Sequence, residues 1–466
     1  MTIMTALRGV RDSRVTLVVV ASTALFLDEF LLAVVVPILP VVFLDMCLGL
    51  DSSTFAGLGN VTGYSPTSLG PITATDVNES PYKECERAVN TQMGLFFGCQ
   101  FAIRVVMGFF GNYICERFGF HLPMFVGCTL LLVSSLVYAI AESHAVYFTA
   151  RMIHGLAAIP NDVAALGLLA YRFRDNDETR GFVLGIAISG FAVGTMISPP
   201  FGGVVFFYLG KAAPFIIIAG FLGLLALAEI VIYDHSTTQE KVGVMATVRL
   251  LLDPLILVQA GVLTIASMGF GLLEPSLPIW MLGTMDVEEW QLGIVFLPLS
   301  IASIIGSLVL GYFSYKIGRW LCAAVSMVVL GIALSAIPFG GNIAGLIAPM
   351  TMFGLSFGSL DATTCALFNL LVEQRHRGAY GGAATLTIIT FSIGFVVGPA
   401  LSAALVNVIG FPWMLRGTGI LTVLCSPLCL FMRNVDRAPS SGTNEEERML
   451  ILGTHKPETV VCQGQS

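Results

Sequence analysis

The chain has 466 residues, of which 56% are hydrophobic and only 11% are charged, and its mean hydropathy is +0.85. Soluble globular chains carry about twice that share of charge, so the composition indicates an integral membrane protein. We therefore expect the lipid bilayer among its partners and no nucleic acid. The chain contains no nucleophile–base pairing, no cofactor fingerprint and no metal-type cysteine spacing, so we expect neither an enzyme nor a bound metal or cofactor.

Twelve apolar segments follow one another along the chain, each long enough to cross a bilayer as a helix of about 20 residues. They cover approximately residues 15–43, 91–115, 124–141, 146–170, 182–208, 213–233, 255–280, 291–314, 320–340, 345–371, 380–408 and 412–432. The first segment contains two acids and is too long for the core of a signal peptide, so we expect it to be retained. The pattern predicts an all-α membrane protein with twelve transmembrane helices.

The basic residues of the loops predict the orientation of these spans. With the spans as given, nearly all of them fall on one side of the membrane, including Arg117, Lys316 and Arg319. Apart from Lys211, the short loops of the other side lack bases and carry acids such as Glu142. The positive-inside rule then places both termini in the cytoplasm and the long polar loop at 45–90 in the lumen.

That lumenal loop has two features of a secretory compartment. Asn60 and Asn78 each begin an N-glycosylation sequon, so we predict glycosylation there. Cys47 and Cys85 flank the loop and could close a disulfide in an oxidising lumen, or remain free thiols.

An internal repeat divides the chain into two halves. The repeated residues are Gly194, Ser198, Pro199 and Gly210 in the first half and Gly394, Gly398, Pro399 and Gly410 in the second. Paired six-span halves are a transporter architecture with the substrate site between them. The predicted organisation is a cytoplasmic N-terminus at 1–14, a six-helix bundle at 15–233, a cytoplasmic linker at 234–254, a second bundle at 255–432 and a cytoplasmic tail at 433–466.

Ionisable residues inside the spans are candidates for function, because an acid or base at a helix centre costs about 2.5–3.5 kcal/mol. They are Asp28, Glu29, Arg104, Arg151, His154, Asp162, Glu229, Glu274, Asp361 and Arg416. The alternative for any of them is a buried ion pair that fixes helix packing. Asp28 and Glu29 are about 100° apart on a helix, so we expect one to point into the bundle and the other toward a neighbouring helix. Arg151 and His154 share a face and could form one polar cluster.

Several motifs resemble known transporters. "RMIHGLAA" at Arg151, the Gly/Pro-rich fifth span and the basic turn at Lys316 are similar to signatures of the major facilitator superfamily. "LLDPLILV", "LLEPSLPIWML", "WQLGIVFLP", "GRWLC", "LDATT" and "IGFPWM" closely resemble the vesicular amine transporters, which exchange cytosolic amines for lumenal protons. The resemblance covers nearly all spans. It implies the fold of that superfamily, with two six-helix pseudo-repeat bundles.

The resemblance also implies roles for individual residues. Asp28 and Glu274, with Trp280 of the same motif as Glu274, would hold the ammonium group of the substrate. Asp361 would exchange the coupling proton together with those two acids, with protons as the coupling ion and no cofactor. The positions implied for structure or gating are Arg117, Arg151, Gly194, Pro199, Lys316, Arg319, Gly398 and Pro399.

The chain departs from the family pattern at several places in its spans, including an aromatic of span 8 replaced near Ser303 and one of span 11 replaced by Phe395. Gln100 stands where monoamine carriers have a lysine in span 2, and Arg104 follows one turn later. Ile388 stands where they have an acid in span 11. Pro160-Asn161-Asp162 replaces a serine-rich stretch of span 4. The coupling scheme of the family therefore carries over only in part.

The tail contains "EEERMLIL", in which Glu446, Leu450 and Ile451 resemble an acidic dileucine signal for an endocytic adaptor. The alternative is a short amphipathic fragment. We expect a proton-coupled antiporter that loads a neurotransmitter-like cationic amine into secretory or synaptic vesicles by alternating access. Two other functions remain open from the sequence. One is a broad-specificity, proton-coupled exporter of drugs or organic cations, and the other is a receptor or sensor on a carrier fold.

Overall fold

The computed structural model describes residues 13–49, 81–173, 177–232, 250, 252–375 and 380–434. The predicted glycosylation sites at Asn60 and Asn78 lie outside the described residues. So does the predicted sorting signal at Glu446, Leu450 and Ile451.

The described residues are helical, with no β-strand among them. The first bundle contains α1 (Arg14–Leu48), α2 (Pro81–Phe118), α3 (His121–Ala139), α4 (His144–Arg172), α5 (Asp177–Leu209) and α6 (Ala213–Ile232). The second begins with α7 (Pro254–Thr284), then α8 in four successive segments (Glu289–Ile294, Leu297–Ile305, Gly306–Leu310 and Gly311–Ile317), α9 (Arg319–Ala336) and α10 (Ile343–Arg375). The helical stretch Tyr380–Cys425 completes it, followed by a 3₁₀ segment, Ser426–Asn434.

The last helical stretch contains two membrane spans. Within the described residues, eleven helical segments are long and apolar enough to cross a membrane, and the last, Thr385–Arg433, has 49 residues. At 1.5 Å per residue it would be about 70 Å long, more than twice the hydrocarbon thickness. It breaks at Gly410, whose φ of 78° belongs to the left-handed region that favours glycine. The break separates α11 (380–409) from α12 (411–425), and the predicted twelve-helix fold is confirmed.

The internal repeat has a structural basis in helix contacts. Gly210, the counterpart of Gly410, also has a positive φ of 82° and directly follows α5. A Cβ atom on Gly194 of α5 would lie 2.6 Å from the carbonyl oxygen of Phe26 in α1. A Cβ on its counterpart Gly394 of α11 would lie 2.7 Å from the carbonyl oxygen of Thr264 in α7, and one on Gly398 would lie 2.6 Å from that of Met268. The same close backbone approach therefore recurs in both bundles, and small residues permit it.

The two bundles meet through α2 against α11 and α5 against α8. The repeated prolines lie at these contacts, since Gly94 of α2 faces the carbonyl oxygen of Pro399 and Gly293 of α8 faces that of Pro199. A disulfide between Cys47 and Cys85 joins the end of α1 to the start of α2. This pairing is one of the two alternatives that the sequence left open. We call the membrane face at these cysteines the disulfide side.

Candidate functional site

Three helices of the first bundle bring one arginine and two aspartates together in its interior. The Nη2 of Arg104 in α2 lies 2.6 Å from Oδ2 of Asp28 in α1 and 2.7 Å from Oδ2 of Asp162 in α4. Asp28 is fully buried, and Asp162 and Arg104 are only 1% and 4% exposed. Charge-assisted hydrogen bonds of this kind are the strong ones in proteins. One guanidinium therefore holds two carboxylates inside the membrane.

Two more ionisable side chains complete this group. His154 places its Nε2 2.9 Å from Oδ1 of Asp28. Glu29 places its Oε1 3.5 Å from Nη1 of Arg104 and accepts a hydrogen bond of 3.4 Å from the Thr195 hydroxyl of α5. We call Asp28, Glu29, Arg104, His154 and Asp162 the arginine cluster. It contains three acids and only one permanently charged base.

The expectation that Asp28 and Glu29 point in separate directions is wrong in one respect, because both contact Arg104. Glu29 does reach a neighbouring helix, through Thr195. A guanidinium is a wide, planar group with two terminal nitrogens, so it can bridge two carboxylates that leave a helix about 100° apart. Nη2 contacts Asp28, and Nη1 contacts Glu29.

Arg151 of α4 is fully buried and has different partners from those of His154. Its Nη1 donates a 3.1 Å hydrogen bond to the carbonyl oxygen of Leu32. Its guanidinium carbon lies 5.0 Å and 4.8 Å from the ring centroids of Phe96 and Phe97. These are cation–π contacts, which are strongest in a desolvated site. Arg151 thus ties α4 to α1 and α2, whereas His154 joins the arginine cluster.

The two predicted acids of the second bundle have no such partners. Glu274 of α7 is 6% exposed, and Asp361 of α10 is half-buried. Neither forms a hydrogen bond or an ion pair with any described residue. Glu274 lies within electrostatic range of Arg151 and Glu29 of the first bundle. The structure therefore presents an acid of α7, without a contact partner among the described residues, to the charged interior of the opposite bundle.

Trp280 lies farther along α7, about 9 Å in axial rise from Glu274. Its ring stacks on Phe411 with a centroid separation of 4.7 Å. Both rings line a cavity of ≈ 210 Å³ on the disulfide side. The other residues that line it are Lys83, Glu86, Arg87, Asn90, Ser276, Val406, Asn407 and Gly410. The predicted substrate residue Trp280 thus belongs to a vestibule on the disulfide side, and Asp28 belongs to the arginine cluster.

An inter-bundle hydrogen-bonded contact lies on the same side. The Nδ2 of Asn407 in α11 donates 3.1 Å to the carbonyl oxygen of Arg87 and 3.0 Å to the Thr91 hydroxyl of α2. Arg87 is two residues beyond Cys85, which the disulfide fixes to α1. The interface between α2 and α11 is therefore held together on the disulfide side.

The departures from the family pattern in α2 shift its positive charge by one helical turn. Gln100 is fully buried, and neither polar atom of its side chain has a hydrogen-bond partner among the described residues. The base of α2 instead lies one turn on, at Arg104, where it reaches Asp162 of α4. Nearby, Phe101 of α2 meets Phe395 of α11 at 4.6 Å between ring centroids. The ion pairs of Arg104 therefore lie within the first bundle, whereas this contact between α2 and α11 is aromatic.

The predicted basic gating positions lie at helix ends. Arg117 is exposed in the last turn of α2, Lys316 is exposed in the last segment of α8, and Arg319 begins α9. Gly194, Gly398 and the two prolines lie in the helix contacts described above.

The model of the Major Facilitator Superfamily matches residues 18–389 and 261–461 of this chain. The chain is 34% identical to the chromaffin granule amine transporter of Rattus norvegicus, over 96% of this chain and 92% of that protein. It has the same identity and coverage with the synaptic vesicular amine transporter of Mus musculus. This chain belongs to the vesicular amine transporter family of the major facilitator superfamily. It is a multi-pass membrane transporter.

More distant proteins share the fold. The chain is 29% identical to the vesicular acetylcholine transporter of Tetronarce californica, over 92% of this chain and 83% of that protein. Among solved structures, it resembles the human organic anion transporter MFSD10 with a TM-score of 0.63 and 14% identity, covering 89% of this chain and 98% of that chain. At that identity the second likeness concerns the fold alone.

Proposed function

We propose that this protein is a proton-coupled antiporter that loads a cationic amine into acidic vesicles. The observation that carries the proposal is Glu274, a buried acid that forms no ion pair with a described residue and lies within electrostatic range of Arg151 and Glu29 of the other bundle. An uncompensated buried charge is strongly unfavourable, and an ammonium group between the bundles would compensate it. The names of the relatives, which are amine and acetylcholine transporters, support the same class of substrate.

The transport cycle follows from the two-bundle architecture. In a carrier of this kind the bundles rock around a fixed site, so that the site opens to one membrane face at a time. On the disulfide side, opening requires the Asn407 contact with Arg87 and Thr91 to separate. A carboxylate that holds the amine in one state and a proton in the other couples the two fluxes, because both neutralise the same negative charge.

We propose the membrane of a secretory or synaptic vesicle as the location, with both termini in the cytoplasm and the 45–90 loop in the lumen. The disulfide at the ends of that loop is in keeping with an oxidising lumen. Glycosylation of Asn60 and Asn78 and an adaptor contact at Glu446, Leu450 and Ile451 belong to this proposal.

The experiment compares two buried glutamates in an amine-binding assay on the purified full-length protein. Glu274→Gln is expected to weaken amine binding by about tenfold or more, the equivalent of about 1.4 kcal/mol. The matched control is Glu229→Gln in α6, because Glu229 is 2% exposed and neither of its carboxylate oxygens has a partner among the described residues. We expect the control to retain binding. Equal losses in the two variants would contradict a substrate role for Glu274.

A further inference from the structure

The charges of the arginine cluster do not balance. Three carboxylates, from Asp28, Glu29 and Asp162, surround the single guanidinium of Arg104, and His154 is the remaining titratable group in contact. Arg104 can neutralise one of the three. Side chains buried in the membrane interior cannot keep the surplus negative charge without a compensating proton or cation.

Two of the three acids compete for the same nitrogen of the guanidinium. Asp28 and Asp162 contact the same nitrogen, Nη2 of Arg104, so their two Oδ2 atoms lie within about 5 Å of each other. One guanidinium cannot neutralise both of these buried carboxylates, so a proton on one of them relieves the excess negative charge. Glu29 is less constrained, because its contacts are 3.4–3.5 Å long and its side chain is 12% exposed.

The hydrogen bonds decide which member of the pair carries the proton. Asp28 has a close partner on each oxygen, Arg104 at 2.6 Å and His154 at 2.9 Å. Asp162 has one close donor, Arg104, and on Oδ1 only a 3.3 Å contact from the amide of Asn161. The side-chain oxygen of Asn161 is a buried acceptor without a donor among the described residues. A proton on Asp162 would add a donor where the cluster lacks one.

We propose that Asp162 is a proton-binding residue of the transport cycle, a role that rests on the proposed function. With a proton on Asp162, Arg104 pairs fully with Asp28 and keeps it from the substrate. Loss of that proton at the higher pH of the cytosol makes Asp162 compete for Arg104, which frees the Asp28 carboxylate for an ammonium group. Rebinding of one proton from the acidic lumen returns Arg104 to Asp28 and releases the amine.

The surroundings of Asp162 contain the charges this exchange needs. Asp28 and Glu29 face it from α1 and Arg104 from α2, while its own helix contributes the uncharged amide of Asn161. His154 reaches the pair through its contact with Asp28. From α3, Gly127 packs against the adjacent Asn161. The α5 helix contributes the uncharged Thr195 to Glu29.

The test counts the protons that the purified full-length protein binds in weakly buffered detergent between about pH 5.5 and pH 8. An ordinary carboxylate with a pKa of about 4 stays ionised throughout that window. Asp162→Asn should bind about one proton fewer than the wild type, and Asp162→Glu, which keeps the titrating group, should restore the count. If the asparagine variant does not fold, Asp162→Ser takes its place.

An unchanged proton count in Asp162→Asn would overturn the proposal, even if the variant were less stable, because a purely structural acid would lower stability without titrating in this window. The count does not depend on any substrate. Failure of the wild type to take up amines would therefore contradict the proposed function and leave the proton count of Asp162 to be judged separately.

Discussion

Replacing Arg104 with glutamine is expected to destabilise the protein by about 3–5 kcal/mol, the cost of breaking a buried ion pair by removing one partner. The physical reason is that Arg104 is the shared counter-ion of Asp28, Asp162 and Glu29. Thermal unfolding of the purified protein in detergent, followed by intrinsic fluorescence, measures the effect. Arg104→Lys should fall between glutamine and wild type, because an ammonium keeps the charge but cannot bridge the carboxylates with a planar fork.

The matched control for this prediction is Arg416→Gln in α12. Arg416 lies over the rings of Phe339 and Trp413, at 4.6 Å and 5.2 Å from their centroids. Contacts of this kind at partly exposed sites contribute about 0.5–1 kcal/mol. If Arg104→Gln unfolded at the same temperature as Arg416→Gln, the cluster would not depend on Arg104 for its charge balance.

Replacing Asp361 with asparagine is expected to abolish amine uptake driven by a pH gradient while leaving amine binding within about twofold of wild type, or about 0.4 kcal/mol. Asp361 is half-buried in α10 and has no hydrogen bond or ion pair with a described residue, so its loss should leave few contacts broken. The gradient supplies about 1.4 kcal/mol per proton for each pH unit. Asparagine keeps the shape of the side chain and removes the group that can accept that proton.

The measurement pairs equilibrium binding with uptake into acidified vesicles for the same preparation. Cys365→Ser, one turn farther along α10, is the control, since it changes a polar side chain on the same stretch without removing an acid. Uptake by Asp361→Asn near the wild-type rate would make Asp361 a structural acid. Proton coupling would then rest on the other buried carboxyls.

Hydropathy was sufficient to predict the twelve spans, because each must be apolar over the thickness of a bilayer. The repeat could be predicted as well, since Gly194 and Gly394 occupy positions where another helix backbone approaches closely, and Gly210 and Gly410 adopt a positive φ that other residues rarely do. Each of these backbone requirements concerns one residue position, so it can be recognised in a single sequence.

The pairing inside the arginine cluster could not be predicted in the same way. Spacing along one helix shows which residues share a face, but it does not give distances between helices. Arg104 and Asp162 were visible as isolated charges, and their contact depends on how α2 and α4 cross. The one-turn shift from Gln100 to Arg104 was the available signal. The contact of both α1 acids with one arginine depends on the width of the guanidinium. The neighbouring positions of the two acids on a helix do not predict that contact.

Amine uptake by the purified full-length protein in vesicles with an acidic interior tests the central claim most directly. A panel of labelled cationic amines is offered with the pH gradient intact and after a proton ionophore has collapsed it. The account predicts that at least one amine accumulates against its own gradient, that accumulation stops when the pH gradient is removed, and that Glu274→Gln abolishes it while Glu229→Gln does not. Uptake that never exceeds equilibration, or that is indifferent to the pH gradient, would contradict proton-coupled antiport.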